Sequence, residues 1–121
     1  MEIAIAALIA LAGLINFLPV FGALSRKRIE RVYQIQVEGP DLSILMRHRA
    51  VLFGLVGGFM IYAAFDRNLW LIACVLGVLS MASFILLAWS TGGYNAALRK
   101  VVIADIIGIV LVIAALGLMA V

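Results

Sequence analysis

WLIACVLGVLSMASFILLAW, residues 70–89, carries no charged side chain and has a tryptophan at each end. At 1.5 Å per residue the step from Trp70 to Trp89 is about 28 Å of helix, close to the spacing of the two aromatic belts of a bilayer. This segment reads as a membrane span.

Working outward from it, similar apolar runs cover about 3–24, 42–65 and 96–121 beside the 69–90 run itself. Each is long enough to cross a hydrocarbon core of roughly 30 Å. The expected fold is an all-α integral membrane four-helix bundle with antiparallel up-down topology, one transmembrane domain over residues 1–121. Asp66-Arg67-Asn68 is read as a tight turn joining the second and third spans. Gly92-Gly93 breaks the chain before the fourth. Residues 25–41 form the long connection, whose segment from Arg26 to Tyr33 is short and mixed enough to lie along headgroups before the turn at Gly39-Pro40-Asp41. Pro19 should bend the first span, and Asp41 or Ser43 can cap the second.

Charge orients the spans. Arg26, Lys27, Arg28, Arg31, Arg47 and Arg49 precede or open the second run, Arg99 and Lys100 open the fourth, and Arg67 alone stands between the second and third. Basic residues near span ends stay on the cytoplasmic side. The expectation is a multi-pass protein of a bacterial inner membrane, with both termini outside and loop 25–41 cytoplasmic. The first run follows no positive n-region and exceeds an h-region in length, so it is read as a retained anchor.

Composition agrees. The 121 residues are 67% hydrophobic and 12% charged, with mean hydropathy +1.26, too little polar surface to cover a soluble globule of this size. A net charge of +3 follows the topology rule, and no recognition motif or basic helix face points to nucleic acid. Cys74 has no partner in the chain, which excludes an intrachain disulfide.

A few polar side chains fall inside or beside the spans. Asp105 lies five residues past Lys100, roughly 7 Å deeper along the helix, where a carboxylate needs a partner or a proton. It either pairs with Arg49 or Arg47 and locks the bundle, or touches a ligand. Asn16 needs a hydrogen-bond partner from a neighbouring helix, or contacts a ligand. Arg47-His48-Arg49, with Arg99 and Lys100, can cradle a phosphate or carboxylate head, or simply anchor helix ends. One His, one Cys and scattered carboxylates show no metal-ligand spacing, and no cofactor is implied. No nucleophile elbow, P-loop or dinucleotide fingerprint is present, so no catalytic residue is named.

Gly54 and Gly58 form a GxxxG pair, widened by Gly57, and Ala73 with Gly77 and Ala104 with Gly108 repeat the spacing. Such faces suit packing inside a bundle or a homo-oligomer contact through Gly54 and Gly58. Gly54 and Gly108, each about two turns into a span that opens with basic residues, also fit a parallel repeat of two hairpins.

Arg47-His48-Arg49-Ala50-Val51-Leu52-Phe53-Gly54-Leu55-Val56-Gly57-Gly58, with four spans and a tight turn between the second and third, resembles the small bacterial four-helix membrane proteins around the DoxX-like families. That resemblance implies a helical bundle with a lipophilic pocket. The functional expectation is binding of a lipid, quinone or isoprenoid between the helices near the cytoplasmic leaflet, with Asn16, Arg47, His48, Arg49, Arg99, Lys100 and Asp105 as its contacts. Membrane lipids are the expected partners. The alternatives are an accessory subunit of a larger membrane complex and a membrane-embedded enzyme.

Overall fold

The computed structural model describes residues 1–20 and 25–121 and is helical, with no strand among the described residues. Five helices follow in order: α1 (Glu2–Phe17), α2 (Arg26–Tyr33), α3 (Gly39–Ala63), α4 (Trp70–Thr91) and α5 (Ala96–Ala120). Among the described residues, four stretches are long and apolar enough to cross a membrane: Glu2–Val20, Gly39–Ala63, Arg67–Thr91 and Ala96–Ala120. The end of the expected first span, at residues 21–24, lies outside the described residues.

Local chemistry sets the boundaries. Pro19 has no N–H to donate and its ring crowds the carbonyl four residues back. Regular α-helix accordingly ends at Phe17, and residues 18–20 tighten into a 3-10 turn. The second span starts three residues earlier than the composition implied. Pro40 sits in its first turn, where a missing N–H costs nothing, and neither Asp41 nor Ser43 is its cap. Asp41 instead places negative charge in the positive first turn. Between α3 and α4, Asp66 accepts from the Asn68 N–H at 3.0 Å and caps a short 3-10 turn, Arg67–Leu69.

The connection before α3 is more structured than a surface loop. Ser25 Oγ accepts from the Arg28 N–H at 3.1 Å and starts α2. Ile29 and Tyr33, one turn apart, then bury together with Val37 against Ile35, Met46, Leu98 and Val101. Asn95 fastens this layer. Its Oδ1 caps α5 by accepting from the Leu98 N–H at 2.8 Å, while its Nδ2 donates to the carbonyls of Tyr33 and Gln34 at 2.8 and 3.1 Å.

In the bundle, α1 packs most heavily on α3 and α5, α5 also on α4, and α3 less on α4. The core joins Ile5, Ile9 and Ala12 of α1 to Met60 and Ala63 of α3, Ala73, Cys74 and Met81 of α4, and Val112 and Ala115 of α5. Glycines allow the close approaches. Gly57 of α3 lies against the backbone of Gly13 and Phe17, Gly54 faces Val20, Met60 covers Gly77, and Met81 covers Gly108. Gly54 thus works with Gly57 toward α1, and Gly58 meets only the Phe17 ring at the edge of van der Waals contact.

No more than 28% of the apolar window of any span is buried. Leu71, Leu79, Leu86, Ile106 and Val110 are among the exposed apolar residues, a surface that only lipid or another apolar partner solvates well. At one end gather Glu2, Arg67, Trp70 and Leu118, with Arg67 Nη1 2.6 Å from Glu2 Oε1. Trp70 departs from the belt expectation: it is buried, and its indole N–H donates to the Ala64 carbonyl at 3.1 Å. Trp89 remains exposed.

Candidate functional site

Near their connecting turn α3 and α4 are in contact, with Met60 lying over Gly77. Toward the end that carries α2, the two helices line a gap. The result is an open cleft of about 590 Å³ whose apolar walls include Leu45, Leu52 and Val56 of α3 and Leu76, Leu79 and Leu87 of α4. His48, Arg49, Ser80 and Ser83 are its polar lining. A second pocket of about 300 Å³ shares Arg49, Phe84 and Leu87 and reaches Tyr94 and Leu98.

Arg49 is the centre of this region. Its guanidinium carbon lies 4.6 Å from the Phe53 ring centre, 5.2 Å from Phe84 and 5.5 Å from Tyr33. Three rings within 6 Å attract the cation by their quadrupoles. Arg49 Nη1 also donates to Tyr33 Oη at 3.4 Å. Tyr33 reaches the site because α2 is docked on the bundle end, and Asn95 grips its carbonyl. Behind the cleft, on α5, Asp105 is only 7% exposed, and Arg49 acts on it electrostatically. Asp105 was expected to pair with Arg49 or Arg47; Arg49 acts on it only from beyond ion-pair distance.

Asn16 is buried between three helices. Its Nδ2 donates to the Ala12 carbonyl at 3.2 Å and approaches Met60 Sδ at 3.9 Å, while its Oδ1 accepts from Ser80 Oγ at 2.9 Å. Asn16 thus touches the cleft through Ser80 and does not line it.

The basic cradle expected at the inner end is divided. His48 and Arg49 face the cleft, whereas Arg47, Arg99 and Lys100 are exposed and outside its lining. Missing from the expected set were Tyr33, Phe53, Phe84, Ser80 and Ser83. Two signals were present in the sequence. Phe53 is one turn from Arg49, and Ser80, Ser83 and Phe84 share a face at i, i+3 and i+4. Nothing local marks Tyr33. Among the described residues, no group of three His, Cys, Asp or Glu is placed to hold a metal ion.

No protein-family model, curated protein or solved structure matches the chain, and the functional reading rests on this geometry.

Proposed function

We propose that the α3–α4 cleft binds a lipophilic molecule from the surrounding bilayer, its polar head at Arg49 and His48 and its apolar part along the leucine walls. The observation that carries this reading is a single arginine, flanked by three aromatic rings, in the wall of an apolar cleft. Ligand sites combine apolar walls with a few convergent polar groups, and about 590 Å³ lies within their ordinary size range. The resemblance of residues 47–58 to DoxX-like proteins implies the same kind of pocket.

The proposal includes an orientation. The spans run up and down through a bacterial inner membrane, α2 and the α4–α5 connection lie at the cytoplasmic leaflet, and Glu2 and Arg67 lie outside. Lys27, Arg28, Arg31, Arg47, Arg99 and Lys100 are exposed near the end that carries α2, which suits an anionic leaflet. Cysteines introduced at Arg28 and at Arg99 should react with a membrane-impermeant maleimide from one and the same side. Cys74 is buried and adds little background. Reaction from opposite sides would refute the orientation.

Binding is tested by native mass spectrometry after mild detergent extraction. Leu79 lines the cleft and is largely exposed, so Leu79→Trp fills the space without entering the core. The wild type should retain a small apolar ligand, and the variant should lose it by about tenfold, the equivalent of 1.4 kcal/mol, at unchanged melting temperature. Equal retention would sink the cleft assignment. Release of a protein partner in place of a small molecule would favour an accessory subunit.

A further inference from the structure

Ser80 and Ser83 are the polar groups on the α4 wall of the cleft. What they offer a ligand depends on where their protons go. The Ala12 carbonyl can only accept, so the Asn16 amide must turn its nitrogen toward Ala12 and its oxygen toward Ser80. Ser80 Oγ consequently donates its one proton to Asn16 Oδ1 at 2.9 Å. Ser83 Oγ donates to the Ser80 carbonyl at 2.9 Å, the local back-bond that serine forms within a helix. Both hydroxyl protons are engaged inside the protein. Toward the cleft the two oxygens present lone pairs.

Arg49 is the opposite case, because a guanidinium has five N–H donors and no acceptor, and Tyr33 takes one of them. Phe84 lies beside the guanidinium. Ser83 precedes Phe84 in the chain, and Ser80 lies four residues, about 6 Å, before Phe84 on α4. The cleft therefore reads donors and positive charge at its head, acceptors just below, and hydrocarbon beyond.

Building on the cleft reading, we propose that the ligand is a lipid with an oxyanion head and a free hydroxyl within a few bonds of it. The oxyanion accepts from Arg49, the hydroxyl donates to Ser80 or Ser83, and the tail follows the leucines of both helices. A quinone carbonyl or a fully esterified glycerol backbone would bring acceptors against acceptors at the serines. Carboxylate and phosphate heads share the required chemistry, and the probes separate them.

The purified protein in detergent is titrated with 2-hydroxydodecyl phosphate, dodecyl phosphate, 3-hydroxydodecanoate, dodecanoate and decylubiquinone. In at least one head class the hydroxylated probe should bind about fivefold tighter than its deoxy counterpart, the effect of one net hydrogen bond. Ser80→Ala or Ser83→Ala, whichever oxygen meets the hydroxyl, should bring that ratio to about one. Ser90→Ala should leave it unchanged, since Ser90, whose hydroxyl back-bonds to the Leu87 carbonyl, is not itself part of the cleft lining. The ratio is read because Ser80→Ala also strips Asn16 of its donor, and a smaller folded fraction affects both probes alike. Equal binding of hydroxylated and deoxy probes, or a preference for decylubiquinone, overturns this inference while leaving the cleft reading intact. Failure of all five probes to bind overturns both.

Discussion

Replacing Gly57 by alanine should cost about 3 kcal/mol or more, and most of the protein should fail to emerge from detergent as a folded species. A methyl group at that position would lie 2.5 Å from the Gly13 carbonyl oxygen and 2.7 Å from Phe17 Cα, closer than real contacts allow. These atoms, and the Phe17 nitrogen that is nearer still, are all backbone. A flexible side chain could swing away, whereas here α1 would have to separate from α3 along the pair's main contact. In lipid little hydrophobic force is available to restore that contact, because packing itself holds spans together. Gly58→Ala is the control: its methyl group would be 4.0 Å from the nearest Phe17 ring atoms, and its effect should stay within about 0.5 kcal/mol. Thermal unfolding followed by size-exclusion chromatography measures both variants. Similar melting temperatures for Gly57→Ala and the wild type would refute the close packing of these two helices.

This contrast also shows what the sequence could and could not convey. Four spans were legible because uninterrupted apolar length is a direct physical requirement of the bilayer. Helix rotation was not. A helix that is apolar on every face has no stripe to say which side turns inward, and so the GxxxG spacing favoured Gly54 with Gly58 although Gly57 makes the tighter contact. The same indeterminacy grouped Arg47, Arg99 and Lys100 with Arg49. Only depth along each helix was visible, and depth alone cannot separate a residue that faces the cleft from one that faces headgroups. α2 was readable in principle from the one-turn repeat of Ile29, Tyr33 and Val37, but its charges made it resemble a surface connection. Its docking gives Arg49 the third ring, a contact between residues sixteen apart in the chain that no local pattern encodes.

Arg49→Met should produce two losses with different causes, and a second substitution separates them. Stability should fall by about 1 kcal/mol, because the guanidinium leaves its place among three rings and the buried Asp105 loses a distant attraction. Retention of the lipophilic ligand should fall at least tenfold, because methionine fills similar space among Tyr33, Phe53 and Phe84 with neither charge nor donors. Adding Asp105→Asn removes the unsupported charge. The double variant should therefore recover part of the melting temperature and none of the binding. Arg49→Lys gives the intermediate case: a point charge keeps part of the field on Asp105 but loses the planar fork that grips an oxyanion. Thermal melts and native mass spectra of Arg49→Met, Asp105→Asn, their double variant and Arg49→Lys are compared with the wild type, the first three completing a cycle with it. If Asp105→Asn brings no recovery in the Arg49→Met background, the two residues are not coupled. If Arg49→Met retains its ligand, the head of the cleft lies elsewhere. Only the combination of partly restored stability and absent ligand matches an arginine that both acts on a buried carboxylate and receives the polar end of a lipid.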